Sequence, residues 1–524
     1  MPKHQKWFWL TALVAAWLFD FLFWNKSANL AFFIWIIILL AVGYLLAWKE
    51  GKRPSGRSLI LTVAIAGFAA VMFLRREEMT RALSVLLSFG GLLLLSATFL
   101  DGYWPWYRVR DYVVEICKVI GGGFSGAILL ASKKNASPSL EGTHPKNSWS
   151  KVWPILRGIL IALPILAIFA ILLSSADPIF GDWIKTVFNL EKLPEYLFRL
   201  FYILLIAGFL TGIYLKAILP SHTAEKPDPN QPWMKPFLGW TEGAIVLTAV
   251  NLLFLTFVII QVRYLFGGAA NISETGYTYA EYARKGFFEL VAVAVLSLGL
   301  YLVLNTITRT EKRGAKIAFS VLSILLMANV TVILASSLMR LMLYEQAYGF
   351  SRLRTYTHVF IYWLAALLVV TIVLELIHKR GHMGLALLIV LVGFGASVAI
   401  LNVDGFIVNQ NVRQAGSGEA LDVSYLNSLS TDAVPAMIHQ YSNPAVPVAT
   451  REKLGASLAC RQKVTNNPSE LPWQEFNLSQ ANAYQLLQKN ASTWQQYQPY
   501  QMDNEWYILV DGEEIACSSF MGFD

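Results

Sequence analysis

The chain has 524 residues, of which 56% are hydrophobic and only 15% are charged. Soluble domains average about 25% charged residues, so this composition excludes an ordinary water-soluble protein and predicts a membrane protein. The formal net charge is +8. It does not indicate a nucleic-acid partner, because the basic residues lie between apolar segments and not in one clustered patch.

Eleven apolar stretches are long enough to cross the hydrocarbon core of a bilayer as helices, which takes roughly 20 residues each. In chain order they are Trp7–Trp24, Leu30–Trp48, Leu59–Leu74, Ala82–Leu100, Trp153–Leu173, Tyr196–Leu215, Ala244–Phe266, Gly286–Ile307, Ile317–Met339, His358–Ile377 and Met383–Leu401. Lys3 and Lys6 precede the first stretch as in a signal peptide, but Asp20 interrupts it and no small-residue cleavage site follows. The sequence therefore predicts an uncleaved anchor and an all-α polytopic membrane protein.

The segment Val109–Ala131 does not have the composition of a lipid-exposed span. Its first half contains the charged residues Arg110, Asp111, Glu115 and Lys118, and its second half contains the glycines Gly121, Gly122, Gly123 and Gly126. Charged groups and glycine-rich backbone are both costly in hydrocarbon. We therefore predict that this segment is interfacial or re-entrant, with the glycine run forming either a close helix contact or a bend.

The distribution of Lys and Arg among the short loops predicts the orientation of the chain. If Val109–Ala131 does not cross the bilayer, one side collects about twice as many basic loop residues as the other, and that side is cytoplasmic. If the segment crosses, the bias almost vanishes. The sequence therefore predicts eleven spans, a cytoplasmic amino terminus and an extracytoplasmic carboxyl-terminal domain.

The long apolar stretches end near Asn402. Residues 1–402 are predicted to form the transmembrane domain, and residues 403–524 a small extracytoplasmic α+β domain. Helical periodicity is present in the segments Val434–Gln440, Ala445–Lys463 and Gln474–Lys489. The pair Asp511-Gly512 lies between two short runs of strand-forming residues, which is typical of a hairpin with a primed turn.

The sequence lacks the common signatures of cofactor and metal sites. It contains no P-loop, His-Glu-x-x-His or Cys-x-x-Cys, and Gly121–Gly126 matches a dinucleotide-binding string without the β-α-β unit it requires. His378 and His382 have a ligand-like spacing, but Lys, Arg and Gly between them indicate a turn. We therefore expect no cofactor and no metal. Cys460 and Cys517 either form a disulfide in an oxidising compartment or remain two unpaired, buried thiols.

Ionisable residues concentrate at the predicted outer ends of the spans. This candidate cluster consists of Asp177, Glu281, Arg284, Glu289, Arg340, Glu345, Arg352, Arg354, Asp404 and Arg413. Ionisable groups at a bilayer usually mark a functional site, and arginine engages phosphate or carboxylate groups with two donors at once. The alternative is structural, with these groups pairing with each other, closing the helix ends and holding the C-terminal domain.

Three strings around these residues carry a family resemblance. The runs Tyr279–Glu289, Arg340–Arg354 and Asp404–Arg413 resemble the bacterial integral membrane proteins grouped as domain of unknown function 4173, a relative of group 4153. The resemblance covers roughly Trp153 to Ala436. It implies a multi-pass protein of the bacterial plasma membrane and supplies no catalytic assignment.

Three functional classes remain open. Binding or transport of an envelope-associated anionic lipid or small ligand would use the outer arginines. It would also draw on polar residues within the spans, namely Asp20, Asn251, Gln261, Asn305, Asn329 and Glu375. An envelope-modifying enzyme would use Asp177 and Glu281 as acid and base, and a sensor or scaffold would bind a protein partner through the C-terminal domain. Among these classes we favour binding or transport, by a protein whose spans contact the lipid bilayer.

Overall fold

The computed structural model describes residues 2–133, 193–218, 236–264, 286–416 and 421–517, together with residues 166, 169, 172, 173, 176, 177 and 228. Within these ranges, 10 helices have the length and apolarity needed to cross a membrane. They coincide with ten of the eleven predicted spans, which confirms the polytopic all-α architecture. The remaining predicted span, Trp153–Leu173, falls almost wholly outside the described residues.

The helices that precede the C-terminal domain are α1 Gln5–Phe23, α2 Leu30–Lys49, α3 Gly56–Leu74, α4 Glu78–Thr98, α5 Val109–Lys133, α6 Leu193–Ile218, α7 Trp240–Tyr264, α8 Phe287–Ile307, α9 Arg313–Tyr348, α10 Arg352–Leu376 and α11 Met383–Leu401. All of these except α5 are candidate spans. Short 3₁₀ helices at Trp104–Trp106 and Arg380–His382 precede α5 and α11.

The chain divides into two compact units. The first comprises Met1–Lys26, Ile37–Pro54 and Cys117–His222, and the second comprises Ser27–Ile36, Ser55–Ile116 and Thr223–Asp524. In the first unit, α1 packs along α6, and the Tyr214 hydroxyl donates a hydrogen bond to the Leu39 carbonyl (3.0 Å). The second unit contains the α3–α4 pair, the bundle of α7 to α10, α11 and the C-terminal domain.

α5 occupies the segment that the sequence predicts to be interfacial or re-entrant. It is one continuous helix of 25 residues, and the glycine run lies inside it. A Cβ atom at Gly123 would come 2.6 Å from the ring of Phe209 in α6, and one at Gly212 would overlap the carbonyl oxygen of Gly123. The glycines therefore let two helix backbones touch, as the close-contact alternative requires. That α5 does not cross the bilayer stays a prediction.

α9 is the longest helix in the described residues, with 36 residues. It extends about 54 Å and so exceeds a hydrocarbon core of about 30 Å. The sequence predicts that the ninth span ends at Met339, but the helix continues to Tyr348. The reason is that the polar residues after Met339 are themselves helical, so Arg340 and Glu345 extend the helix and do not form a loop.

The C-terminal domain contains α12 Val403–Ala415, α13 Val423–Ser428, α14 Val434–Tyr441, α15 Val448–Val464, α16 Leu478–Lys489 and the strands β1 Tyr500–Met502, β2 Glu505–Val510 and β3 Glu513–Ala516. The strands form an antiparallel sheet in the order β1-β2-β3. Asp511 and Gly512 both have positive φ angles at the turn from β2 to β3. This conformation confirms the predicted hairpin and the α+β class of the domain.

The core of the C-terminal domain continues into the end of the last span. Trp494 and Ile508 belong to the same buried apolar cluster as Val398 of α11. Asn402 joins α11 to α12 in a left-handed conformation (φ 50°), and its side-chain oxygen accepts a hydrogen bond from the Gly405 backbone N–H (3.2 Å). One residue thus ends the span and caps the first helix of the domain.

The two cysteines of the C-terminal domain form a disulfide. Cys460 lies in α15, Cys517 follows β3 directly, and their Cα atoms are 5.0 Å apart. Both side chains are buried, so the bond fastens the end of the sheet to α15 inside the domain core. Cys117, in α5, is exposed.

Candidate functional site

Arg352 and Asp404, two members of the candidate cluster, form a buried ion pair in the second unit. Arg352 begins α10 and donates from Nε and Nη2 to the two oxygens of Asp404 in α12 (2.8 and 2.7 Å). Asp404 is 0% exposed and also accepts a hydrogen bond from the Ser430 backbone N–H (2.6 Å). The Tyr425 hydroxyl accepts from the Arg352 backbone N–H (2.9 Å), and burial raises the pKa of Tyr425 to about 12. These contacts fit the structural alternative, because they use both oxygens of the carboxylate.

Arg461 of α15, to which no sequence pattern points, binds the loop that follows α13. This loop also contains Ser430, the residue whose N–H binds Asp404. Arg461 donates to the backbone carbonyls of Leu426 (2.6 Å), Leu429 (2.8 Å) and Ser430 (3.2 Å). Burial lowers the pKa of the Arg461 guanidinium to about 10, so the group remains charged at neutral pH. Nothing in the local sequence distinguishes it from a solvated helix arginine, since its acceptors are carbonyls of a distant loop.

A third buried group, Asp432, attaches this loop to the turn between α3 and α4. Its Oδ2 accepts hydrogen bonds from the backbone N–H groups of Arg76 (2.8 Å) and Glu77 (2.9 Å). Glu77 in turn caps α4, with its carboxylate accepting from the N–H groups of Met79 (2.9 Å) and Thr80 (2.7 Å). An acid directly before an apolar run is a sequence signal for such a cap. These contacts hold the C-terminal domain against two spans.

Glu345, near the end of α9, pairs with a histidine on the next helix. It is 2% exposed and lies 3.2 Å from Nδ1 of His358, while Nε2 of that ring lies 3.1 Å from the Tyr362 hydroxyl. The Gln414 side-chain amide of α12 donates to the backbone carbonyl of Glu345 (3.0 Å). The pair therefore lies where α9, α10 and α12 meet.

Arg340 and Arg354 engage different partners near the end of α9. Arg340 donates from Nη2 to the side-chain oxygen of Gln261 in α7 (3.1 Å). Arg354 donates to the Tyr348 carbonyl (3.0 Å), and its guanidinium lies 4.0 Å from the ring centre of Tyr344. A guanidinium over an aromatic face is held by a cation–π interaction.

Two further members of the candidate cluster, Asp177 and Glu289, lie in other surroundings. Asp177 is exposed and belongs to the first unit, and Glu289 is exposed in the first turn of α8. Glu281 and Arg284 lie outside the described residues. The described members therefore occupy several separate environments.

Arg413 differs from the other described arginines of the candidate cluster because it faces an open cleft. It is exposed on α12 and lines an open cleft of about 470 Å³. The cleft is bounded by Asn409, Gln410, Val412, Arg413, Gly416, Gln440, Asn443, Ala445, Val446 and Pro447. The Gln440 side chain donates to the Asn409 side-chain oxygen (2.8 Å) across this surface. In the part of the chain that the structure describes, no carboxylate forms an ion pair with Arg413.

The polar residues that the sequence places inside the spans of the second unit have protein partners. Glu375 of α10 is 1% exposed and accepts a hydrogen bond from the Tyr301 hydroxyl of α8 (2.8 Å). It also forms an ion pair with Arg380 (2.5 Å). In the middle of the bundle, the Asn329 amide of α9 donates to the side-chain oxygen of Asn251 in α7 (3.2 Å). Such pairing offsets the cost of polar groups in the hydrocarbon region.

Asp20 in the first unit is neutralised in the same way. Arg199 of α6 donates to both of its oxygens (2.9 and 2.5 Å), and the Tyr202 hydroxyl also donates to it. Asp20 interrupts the first predicted span, but nothing in the sequence points to Arg199 as its partner. The two residues lie 179 positions apart in the chain, so only the packing of α1 on α6 brings them together.

Within the described ranges, no group of three or more His, Cys, Asp or Glu side chains has an arrangement that would hold a metal ion. His378 has a positive φ angle of 57°, and His382 ends the 3₁₀ helix that follows. The two histidines therefore belong to the predicted turn between α10 and α11.

Comparison with protein families matches residues 62–440 to the family described as Domain of unknown function (DUF4153). The chain belongs to this family. The match begins in α3, well before the resemblance noted in the sequence, and it ends in α14. Membership of the narrower group 4173 stays a prediction. No curated protein and no solved structure matches the chain. The DUF4153 assignment therefore supports a multi-pass membrane protein and brings no known activity with it.

Proposed function

We propose that this DUF4153 protein binds an anionic envelope-associated lipid or small ligand in the cleft beside Arg413, on the extracytoplasmic side of a bacterial plasma membrane. One observation carries the proposal. Arg413 is an exposed guanidinium in an open cleft, with no carboxylate partner among the described residues. The other described arginines of the candidate cluster donate to carboxylate, carbonyl or amide oxygens of the protein itself.

The chemistry of the cleft suits an anion with polar substituents. Arginine presents planar donors that bind a phosphate or carboxylate two at a time. The side-chain amides of Asn409, Gln410 and Asn443 add neutral donors and acceptors, while Val446 and Pro447 supply an apolar edge. The volume of about 470 Å³ lies within the range of about 300–1,000 Å³ that is usual for small-molecule sites.

A sensor or scaffold role is the second candidate, and one observation favours it. α12 contains both Arg413 in the cleft and Asp404 in the ion pair with α10. A ligand that moves α12 would therefore change the contact between Asp404 and Arg352 at the beginning of α10. A sensor needs such a coupling between its ligand site and a span. The enzyme alternative, with Asp177 and Glu281 as acid and base, gains no support from the described residues.

The test uses the full-length protein in detergent and a defined probe, short-chain phosphatidylglycerol, with short-chain phosphatidylcholine as the neutral comparison. Replacing Arg413→Gln should weaken phosphatidylglycerol binding about tenfold or more, because a charge-assisted hydrogen bond contributes about 1.5–3 kcal/mol. The matched control is Lys489→Gln, which removes one positive charge from an exposed position on α16. It should leave the dissociation constant nearly unchanged.

A second measurement distinguishes a soluble anionic ligand from an anionic lipid. Glycerol 1-phosphate that competes with phosphatidylglycerol at similar concentrations indicates a soluble ligand, whereas failure to compete indicates that the acyl chains contribute and the ligand is a lipid. Equal phosphatidylglycerol affinity for wild type and Arg413→Gln would refute the proposed site.

A further inference from the structure

The segment between α15 and α16 exposes apolar side chains on the surface of the C-terminal domain. Trp473 is 52% exposed, Phe476 37% and Leu478 46%. The polar residues Gln474 and Asn477, which lie between them, are buried. This is the reverse of the usual surface pattern, since the polar side chains point inward and the large apolar ones point out.

Hydrogen bonds fix the backbone of this segment at the beginning of α2. The Asn29 side-chain amide donates to the Glu475 carbonyl (2.7 Å), and the Leu30 backbone N–H donates to the Phe476 carbonyl (3.3 Å). Leu30 is the first residue of a candidate span, so the segment lies at the level where that span begins.

A second set of bonds fixes the segment at the end of α3. The Asn477 side-chain amide donates to the carbonyls of Arg75 (2.9 Å) and Met72 (3.3 Å), while its oxygen accepts from the Gln480 backbone N–H and caps α16. α3 ends at Leu74. Two spans that terminate at the same segment define the local boundary of the hydrocarbon, because a span ends where its apolar residues end.

We propose that residues 471–478 are an interfacial anchor that inserts Trp473, Phe476 and Leu478 into the bilayer leaflet where α2 begins and α3 ends. Tryptophan is enriched at the boundary between headgroups and acyl chains, since its ring is apolar and its N–H is polar. Interfacial segments of this kind bury their apolar side chains roughly 5–10 Å deep. The bilayer covers this apolar surface, because hydrogen bonds tie the segment to the ends of two spans.

One cation near the segment suits a lipid headgroup. Arg76 lies in the turn between α3 and α4, and among the described residues no acid pairs with its guanidinium. A cation at this level is well placed for a lipid phosphate. The anchor would hold the C-terminal domain against the membrane through the lipid as well as through the buried contacts of Asp432.

The experiment places spin labels in the full-length protein in nanodiscs of phosphatidylcholine and phosphatidylglycerol. Exposed Cys117 is first replaced by Ser, and labels are attached to Trp473→Cys and, separately, Phe476→Cys. The control is Leu509→Cys, an apolar residue that is 60% exposed on β2, a strand packed against α15. Power saturation compares the access of oxygen, which concentrates in lipid, with that of a nickel chelate, which stays in water.

We expect labels at positions 473 and 476 to be several-fold more accessible to oxygen relative to nickel than the label at position 509. Because all three sites are exposed apolar positions of one domain, the comparison isolates contact with lipid from exposure itself. Ratios at both 473 and 476 equal to the ratio at 509 would overturn the proposal.

Discussion

Charged side chains of this protein occupy two kinds of surroundings. Asp404 is 0% exposed and has its charge matched by Arg352, whereas Arg413 is exposed on the same helix, α12. A buried ion pair adds little net stability, because desolvation offsets most of the attraction between its members. Removing one member is costly, however, since the remaining charge loses its partner while it is still partly buried. The residues of the predicted cluster should therefore separate experimentally into those that affect folding and those that affect binding.

Replacing Asp404→Ala should lower the free energy of unfolding by about 3–5 kcal/mol, because it leaves the Arg352 guanidinium without its carboxylate. Thermal unfolding of the purified protein in detergent, followed by fluorescence, measures the loss. The matched control is Glu289→Ala, which removes an exposed carboxylate from α8 and should change the stability by at most about 0.5 kcal/mol. A double variant, Arg352→Met with Asp404→Leu, should recover part of the loss. Equal stabilities of Asp404→Ala and wild type would contradict the importance of the pair.

At the scale of elements, the contact between α5 and α6 depends on glycine. Gly212 of α6 faces the backbone carbonyls of Gly122 and Gly123, and a Cβ atom there would overlap both. Gly121, one residue earlier in α5, has open space where its Cβ would lie. Adjacent glycines of one run thus have different roles, and only those at the contact need to lack a side chain.

Replacing Gly212→Ala should destabilise the protein by about 1–3 kcal/mol, as overpacking of a close helix contact does. Gly121→Ala adds the same methyl group where there is room, and should be neutral or slightly stabilising because alanine favours helix. The midpoint of thermal unfolding in detergent distinguishes the two variants. If both variants melt at the same temperature, the close approach of the two backbones does not contribute to stability.

At the scale of the whole molecule, the contacts of the C-terminal domain constrain the membrane topology. The domain follows α11, yet Asp432 and Asn477 bind the backbone at the end of α3 and the beginning of α4. The end of α11 and the beginning of α4 therefore lie on the same side of the bilayer, which requires an even number of crossings between them. α4 and the helices from α6 to α11 provide seven candidate spans. One further crossing is needed, so we predict that either α5 or Trp153–Leu173 crosses, and not both.

The distribution of basic residues assigns that crossing to Trp153–Leu173, which predicts the result of reporter fusions. A reporter that is active only outside the cytoplasm should be silent after Arg108, silent after Lys146 and active after Asn402. Fusion in the loop Lys216–Lys235 should also be silent. Activity after Lys146 would show that α5 crosses, and silence after Asn402 would invert the orientation of every element described above. The Cys460–Cys517 disulfide agrees with the predicted orientation, since such bonds persist in oxidising compartments.

The sequence by itself determined the ten candidate membrane-spanning helices of the described residues, the small α+β domain and the hairpin at Asp511-Gly512. These features depend on local composition, because a span needs only a sufficiently long apolar run and a primed turn needs only residues that tolerate positive φ. The sequence also predicts a cluster of ionisable residues at the outer ends of the spans, and this cluster stays a prediction. The sequence did not show that the ninth span continues through Arg340 to Tyr348, since the same residues suit either a helix or a polar loop.

Only the tertiary structure decided which of those charges have partners. Arg352 and Asp404 are 52 positions apart, and Asp20 and Arg199 are 179 apart, so each pair forms only when two helices pack. The same packing buries Arg461 among carbonyls, leaves Arg413 exposed in a cleft and turns Trp473 outward at the end of two spans. The physical reason is that the partners and the exposure of a charged or aromatic side chain depend on its neighbours in space. Residues far apart in the chain supply those neighbours.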